Sequence, residues 1–233
     1  MSGQILTFTN LFPSASRPAH GLFVQDRMRR VAEASGLEWQ VVCPIPRVPI
    51  PLRCASDRIL AAMPSCEEVD GVTVHNVPYF HLPGLSLRRQ AGRIVRACQP
   101  VVERLAQGKS TVIDAHYVYP DGVAALKIAD RLALPAVVTA RGTDVNVVAA
   151  RPGIRSQVRT EMAKAAALFA VSKALCRQFD SVLGESGRVQ LARNGVDLQG
   201  FRPPVDDAEK LLACRQLGLP EGVALVLGVG RLI

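Results

Sequence analysis

Long apolar runs are missing from this chain of 233 residues. Runs such as "AAALFAV" fall far short of the roughly 20 residues that span a bilayer. The opening "MSGQILTFTNLF" also lacks the basic start and the long apolar stretch of a secretory signal. These absences argue against a transmembrane protein and a secreted precursor, and we expect a cytoplasmic protein.

Clustered metal ligands are missing as well. The six cysteines form no C-x-x-C pair and have no histidine at metal-ligand spacing; they are Cys43, Cys54, Cys66, Cys98, Cys176 and Cys214. This spacing argues against a zinc site and against a small disulfide scaffold. We therefore expect no metal and a reducing compartment.

Aromatic residues are scarce, at 5% of the chain, and the basic residues are scattered, which argues against nucleic-acid binding. No G-x-G-x-x-G follows the first strand-like segment, which argues against a dinucleotide-dependent oxidoreductase. What the chain does carry is a formal net charge of +8. This charge favours an anionic partner, such as nucleotide phosphates or an anionic lipid surface.

Strand-like and helix-like segments alternate along most of the sequence. The strand patterns are "QILTFTN", "EWQVVCP", "GVTVHNVPYF", "STVIDAH", "PAVVTA", "ALFAVS" and "RVQLARN". Apolar strands separated by helices predict an α/β fold with a doubly wound, mostly parallel, Rossmann-like sheet. We assign this domain to residues 1–200. Residues 201–233, which end in the strand pattern "GVALVLGVGRLI", are expected to begin a second, truncated domain.

Two segments depart from the alternation. Residues 44–71 are rich in proline and predict an excursion over the surface. A helical stripe runs from Leu87 to Leu105, with Pro100 expected to kink it. Its arginine face is either an ordinary solvated face or a contact with an anionic membrane; the residues are Arg89, Arg93 and Arg96.

Ligands of open parallel sheets bind outside the carboxyl ends of the strands, so the loops there hold the candidate residues. The loop after the first strand contains Asn10, His20 and Gly21. Gly21 either permits close approach of a phosphate to the backbone or belongs to a plain surface loop.

Two later loops carry titratable side chains. His116, in "DAHYVYPDG", could act as an acid or base, bind a hydroxyl, or be a structural hydrogen-bonding group. Asp121 is most simply a helix cap, and Tyr117 either stacks on a ligand or fills the layer between helix and sheet. In "TARGTD", Arg141 offers a rigid fork for phosphate or carboxylate. Asp144 could orient it or accept sugar hydroxyls, although a local ion pair between the two residues remains an alternative. Further candidates are Thr143, Ser172 and Asn194.

Several of these segments together resemble the N-terminal half of retaining glycosyltransferases of family 4. The similar stretches are "FPSASRPAHGLFV", "DAHYVYPDGVAA", "LPAVVTARGTD", "AALFAVSKAL", "RNGVDLQGFRP" and "VLGVGRL", in the order of the family. The resemblance implies two Rossmann-like domains across a cleft and transfer of a sugar from a nucleotide-sugar to an acceptor hydroxyl. It implies no cofactor. The acceptor would be a glycan or a lipid-linked molecule, and the pathway polysaccharide or glycolipid synthesis.

The resemblance also assigns roles to residues. It places Gly21 in a loop that meets acceptor and phosphate, and Arg231 in the clamp on the donor diphosphate. Many relatives have histidine where this chain has Arg141, so we expect Arg141 to bind an anion, either the diphosphate or a carboxylate on the donor sugar. A paired-glutamate motif typical of such relatives is missing from the sequence, so we expect this chain alone to be inactive.

A non-catalytic function is the alternative. The domain could bind an anionic membrane through its arginine face, or pair with a separate nucleotide-binding half. In either case we expect the protein at most at the inner face of a membrane, not across it.

Overall fold

The computed structural model describes residues 2–48, 55–82, 87–149 and 151–220, together with Val226 and Gly228. It divides into two compact units, Met1–Asn194 and Gly195–Ile233. Arg231 and most of the strand expected near the end lie outside the described residues. Within the described part, no helix is long and apolar enough to cross a membrane.

One eight-stranded sheet forms the centre of the first unit. Its strands are β1 (Gly3–Phe8), β2 (Glu38–Arg47), β3 (Cys66–Val69), β4 (Val72–Phe80), β5 (Ser110–His116), β6 (Ala136–Ala140), β7 (Ala167–Ala170) and β8 (Val189–Leu191). They lie in the order β3-β4-β2-β1-β5-β6-β7-β8. All neighbours are parallel except β3, which forms an antiparallel hairpin with β4. The predicted fold class is confirmed.

In the part of the chain that the structure describes, seven α-helices accompany the strands. They are α1 (Leu22–Ser35), α2 (Ala55–Ala62), α3 (Gln90–Ala106), α4 (Val123–Leu132), α5 (Pro152–Met162), α6 (Lys173–Leu183) and, in the second unit, α7 (Asp207–Gln216). Short helical turns precede α3, α4 and α5, at Leu87–Arg89, Val118–Gly122 and Asp144–Ala149. The helix α3 is continuous through Pro100.

Apolar side chains bury both faces of the sheet. Val24 and Met28 of α1 pack with Ile5 and Val41 in one cluster. Helices α3 to α6 form the other cluster, with buried residues such as Ile94, Leu126, Val158 and Phe179. Two separate clusters on one sheet are what a doubly wound arrangement requires, because each face must be covered by its own helices.

The proline-rich segment is more regular than the sequence indicates. Strand β2 continues to Arg47, paired with β4, and is followed by α2 and β3. The carbonyl oxygen of Val42 accepts a hydrogen bond from Thr9 N at 3.1 Å, just beyond the end of β1. Pro44 and Pro46 therefore direct their backbone nitrogens toward the side where β1 has ended, so the missing N–H groups break no sheet pairing. The predicted surface excursion was wrong for these residues.

The sheet order reverses direction beside β1. From β1 the chain runs outward to β2 and then β4, and it later returns to place β5 on the other side of β1. The loops that leave β1 and β5 at their carboxyl ends go to opposite faces, and we call the region where they diverge, which is the usual ligand-binding position in such sheets, the crevice. This crevice is where the candidate residues are brought together.

Candidate functional site

A short hydrogen bond joins the loops after β1 and β5. The backbone N–H of Asn10 donates to Asp121 Oδ2 at 2.7 Å. On the same first loop, His20 Nε2 lies 3.0 Å from the carbonyl oxygen of Asn10. The predicted residues Asn10, His20 and Asp121 therefore lie together at the reversal of the sheet.

Gly21 ends this first loop in a left-handed conformation, with φ of 75°. A Cβ atom at this position would overlap the carbonyl group of Leu11 and lie 2.8 Å from Phe12 N. Only glycine fits both the backbone angle and the close approach. Gly21 thus turns the chain directly into α1, whose first turns face the crevice.

Asp121 is completely buried and does not cap α4, because that helix receives no side-chain cap. The prediction of a helix cap was therefore wrong. Burial raises the pKa of Asp121 to about 8, against the hydrogen bond from Asn10, and the charge of Asp144 adds to the increase. Its Oδ1 atom has no hydrogen-bond partner among the described residues. A group with this pKa is mainly protonated at neutral pH.

His116 is buried between a carboxylate and a guanidinium. Its Nδ1 lies 2.8 Å from Arg141 Nη2, and its Nε2 lies 3.2 Å from Asp114 Oδ2. The second pair is at ion-pair distance, but its alignment is poor for a hydrogen bond. Both ring nitrogens face protein groups, so the imidazole itself is not presented to a ligand.

The neighbours of His116 fix its proton. Arginine has only donors, so Nδ1 must accept from Arg141 and the proton must lie on Nε2, facing Asp114. Burial lowers the pKa of His116, and the attraction of Asp114 only partly opposes this. Burial acts to raise the pKa of Asp114, but its interaction with His116 and the charges of Arg27 and Arg141 outweigh burial, so the pKa is lowered. The pair is a neutral imidazole beside a carboxylate.

Arg141 is held from three sides. Its Nη1 donates to Asn194 Oδ1 at 2.7 Å, its Nη2 donates to His116, and its Cζ lies 5.1 Å from the ring centroid of Phe23. Burial lowers the pKa of Arg141 to about 10, with the charge of Arg27 as the next cause. At neutral pH the guanidinium therefore stays charged and is fixed in one orientation.

Asp144 serves the backbone instead of pairing with Arg141. Its carboxylate accepts from the N–H groups of Val118 at 2.7 Å, Gly142 at 2.7 Å and Arg141 at 3.1 Å. The alternative of a local side-chain ion pair between Arg141 and Asp144 was therefore wrong. Asp144 is buried, whereas Thr143 beside it is exposed. Asp144 ties the loop after β6 to the loop after β5.

A groove of ≈ 500 Å³ begins at Arg141 and extends to the start of α6. It is lined by Arg141, Gly142, Asn146, Val171, Ser172, Ala174, Leu175 and Gln178. The hydroxyl oxygen of Ser172 accepts from Leu175 N at 3.1 Å and so caps α6. Ser172 therefore has a structural role while it also borders the groove.

Tyr117 begins the loop after β5. It has a left-handed φ of 87°, a conformation that costs energy for a residue with a side chain. Its N–H donates to Thr139 O at 3.1 Å, and its carbonyl oxygen accepts from Gly122 N at 2.8 Å. These contacts hold the loop after β5 against β6, with the tyrosine half-buried.

Three residues of this site were not identified from the sequence: Phe23, Arg27 and Asp114. Asp114 precedes His116 by two residues in β5, so both side chains point to the same face, and the alternation of a strand could have paired them. Phe23 and Arg27 are four residues apart in α1 and share a helical face, but nothing local shows that this face meets Arg141. Among the described residues, no three His, Cys, Asp or Glu side chains could hold a metal ion.

Comparisons with known proteins agree with this architecture. The sequence profile described as Glycosyltransferase Family 4 matches residues 24–199. TuaC of Bacillus subtilis (strain 168), which is named as a teichuronic acid biosynthesis glycosyltransferase, is 28% identical over 235 residues. That alignment covers 99% of this chain and 59% of TuaC, so the chain spans about three fifths of its relative.

A solved structure with a TM-score above 0.5 shows the same fold at low sequence identity. A sucrose-phosphate synthase from Thermosynechococcus elongatus has a TM-score of 0.53 and 12% identity, over 92% of this chain and 99% of that chain. Anabaena HepE, in complex with UDP and glucose, has a TM-score of 0.48 and 15% identity, over 94% of this chain and 50% of that chain.

Proposed function

Because the chain belongs to glycosyltransferase family 4, we propose that it takes part in transferring a sugar from a nucleotide-sugar donor to an acceptor hydroxyl, with retention at the anomeric carbon. The observation that carries this proposal is the fixed guanidinium of Arg141 at the crevice where the sheet order reverses. In open parallel sheets, this is where ligands bind.

Arg141 supplies charge and not base catalysis. A guanidinium with a pKa of about 10 keeps its proton at neutral pH. When the glycosidic bond to the donor breaks, negative charge grows on the leaving diphosphate, and a cation already fixed in place stabilises it without reorganising. Contacts with His116, Asn194 and Phe23 provide this fixed position.

His116 acts through Arg141 in this proposal. The sequence made it a candidate acid or base, but its ring is fully buried and its Nδ1 already accepts from Arg141. It is therefore a positioning residue, with Asp114 fixing its tautomer. The predicted binding residues on the rim of the crevice are proposed to meet the acceptor; they are Asn10, His20, Gly21, Tyr117, Thr143 and Ser172.

The similarity to TuaC supports polysaccharide synthesis as the process. The acceptor would then be a growing glycan or a lipid-linked sugar. Contact of Arg231 with the donor diphosphate and inactivity of this chain on its own remain predictions from the resemblance.

Release of nucleoside diphosphate tests the function. The protein is purified in the form that the cell produces and is incubated with a panel of nucleotide-sugars and glycan or lipid-linked acceptors. The released nucleoside diphosphate is then measured. Arg141→Ala should lower kcat by roughly 10²- to 10³-fold, as does the loss of one group that stabilises developing charge. Arg141→His should retain more activity than Arg141→Ala. Arg177→Ala, at an exposed position of α6, is the control.

Two results would count against the proposal. If no nucleotide-sugar in the panel is consumed, sugar transfer is wrong. If both Arg141 variants turn over at the rate of the Arg177 control, Arg141 has no part in the reaction.

A further inference from the structure

Two arginines from distant parts of the chain converge beside the crevice. Arg27 of α1 donates from Nη1 to Ala192 O at 3.0 Å, and Arg141 donates from Nη1 to Asn194 Oδ1 at 2.7 Å. Phe23 lies one helical turn before Arg27, and its ring packs against the guanidinium of Arg141. Both guanidinium groups therefore donate to residues 192–194, and they are close enough for their charges to repel each other.

Among the described residues, the hydrogen-bond partners of the two guanidinium groups are all neutral. They are the carbonyl of Ala192, the amide of Asn194 and the imidazole of His116. Neither arginine lies within ion-pair distance of a carboxylate among the described residues. The Nε atom of Arg141 is also buried without a hydrogen-bond partner there. Arg27 and Arg141 are both half-buried, and charges that are partly withdrawn from water in proteins are ordinarily paired with an anion, so this pair is incomplete by itself.

The carboxylates nearby are occupied elsewhere. Asp144 is engaged by three backbone N–H groups, and Asp114 lies against His116. Burial and then the repulsion from Arg27 lower the pKa of Arg141, and the attraction of Asp114 and Asp144 opposes them only in part. Two like charges held close together are stabilised when an anion binds to both.

We propose that Arg27 and Arg141 together bind an anionic group of the substrate, which is either the carboxylate of an acidic sugar or a phosphate. The proposal rests on the sugar-transfer function above and names the chemical class of the substrate. Bidentate donors on rigid supports suit both oxyanions. Discrimination against a neutral sugar follows, because an uncharged hydroxyl leaves both cations unpaired.

Binding of small probes tests this without requiring turnover. Methyl glucuronide presents a carboxylate, glucose 1-phosphate a phosphate, and methyl glucoside neither. Each is titrated into the protein, and the dissociation constant is measured from NMR chemical-shift changes at low and at physiological salt. The variants are Arg27→Gln and Arg141→Gln, with Arg30→Gln, at an exposed position of the same helix, as the matched control. Far-UV circular dichroism and the thermal midpoint verify that each variant is folded.

At least one anionic probe should bind the unaltered protein roughly tenfold to a hundredfold more tightly than methyl glucoside, since hydrogen bonds to charged groups contribute that much. Arg27→Gln and Arg141→Gln should each remove most of this preference, while Arg30→Gln keeps it. Preference for methyl glucuronide identifies a sugar carboxylate, and preference for glucose 1-phosphate identifies a phosphate.

Three results would overturn the anion site. These are equal affinity for charged and neutral probes, no binding of either anionic probe, and an anion preference that persists in a folded Arg27→Gln protein. The transferase function is tested by the release of nucleoside diphosphate, which none of these three results measures. The anion site can therefore fail while the transferase function stands. If instead the preference is found but no nucleotide-sugar is consumed, the site stands as an anion-binding site and the transferase function fails.

Discussion

At the scale of single residues, the position of one proton on His116 decides how Arg141 is held. A neutral ring with its proton on Nε2 accepts from the guanidinium, whereas an imidazolium would repel it and donate from both nitrogens. Asp114 lies 3.2 Å from Nε2 and favours a proton there. The buried carboxylate therefore orients the arginine indirectly, through the tautomer of the ring.

We expect ¹⁵N spectra of the imidazole of His116 to show the neutral, Nε2-protonated form at pH 7. In Asp114→Ala the ring should titrate at a lower pH than in the unaltered protein, because the carboxylate raises the pKa of His116 against the effect of burial. Turnover should fall through kcat, with KM little changed, since substrate contacts remain.

Asp130→Ala removes an exposed carboxylate of α4 and serves as the control, with no change expected in the His116 signals. A doubly protonated His116 ring at pH 7 would contradict the assignment, because Nδ1 could not then accept from Arg141.

The sequence predicted the roles of single residues less well than it predicted the secondary structure and the fold. Arg141 stood out because a permanent charge directly followed an apolar strand, but its partners come from residues 23, 116 and 194, which only the fold brings together. Asp121 was assigned as a helix cap from its position before a helix. Its actual partner, Asn10, lies 111 positions away, and its burial depends on how two loops pack.

At the scale of elements, the hydrogen bond that links the loops after β1 and β5 is accepted by the carboxyl group of Asp121, which is costly to ionise. The folded pKa of Asp121, about 8, lies above its value in the unfolded chain, roughly 3.9. Between these values the folded protein holds a proton that the unfolded chain has lost. The free energy of unfolding contributed by this group therefore falls as pH rises from about 4 to about 8 and then levels off.

Asp121→Asn cannot ionise and should lack this dependence. We expect the free energy of unfolding of Asp121→Asn, relative to the unaltered protein, to increase with pH between 5 and 8, by at most roughly 1.4 kcal/mol per pH unit. Denaturant titrations at several pH values measure this difference. His116 contributes equally to the pH dependence of the free energy of unfolding in both proteins, so its effect cancels in the difference.

Asp130→Asn, which changes an exposed carboxylate, is the control. Its free energy of unfolding, relative to the unaltered protein, should depend much less on pH. A constant difference between Asp121→Asn and the unaltered protein across this range would show that Asp121 ionises normally in the folded state.

The elements themselves were predictable where a pattern was periodic and uninterrupted. Strands such as β5 and helices such as α3 follow from apolar periodicity, even with Pro100 inside α3. The prolines at positions 44 and 46 misled the prediction for β2, because their tolerance depends on where the neighbouring strand β1 ends. Strand ends are set by tertiary contacts and not by the residues of the strand alone.

At the scale of the whole molecule, the order of the strands is what creates a site. The reversal beside β1 makes loops from positions near 10, 117 and 141 neighbours. The sequence could predict this reversal only through the fold class, because alternating strands and helices leave few arrangements with right-handed crossovers. The family membership of the chain and the structural likeness are consistent with that arrangement.

The net charge of +8 raises the question of contact with an anionic membrane. Of the three arginines in the predicted face, Arg89 and Arg96 are exposed, while Arg93 is half-buried with its Cζ 4.9 Å from the ring centroid of Phe80. Arg93 is thus engaged in packing, and any contact with lipid headgroups through this face depends mainly on the other two.

We expect Arg89→Glu/Arg96→Glu to reduce sedimentation with vesicles of phosphatidylcholine and phosphatidylserine by roughly tenfold or more, since each basic residue near such a surface contributes about 1 kcal/mol. The matched control is Arg29→Glu/Arg30→Glu on α1, which changes the net charge equally. If the arginine face of α3 binds the membrane specifically, the first pair of substitutions should reduce sedimentation more than the second pair, and sedimentation should decrease as salt increases. Equal losses for the two pairs would mean that the overall charge of the protein, and not this surface of α3, attracts it to the vesicles. If the unaltered protein does not sediment with the vesicles at low salt, membrane contact is ruled out both for this surface and for the overall charge.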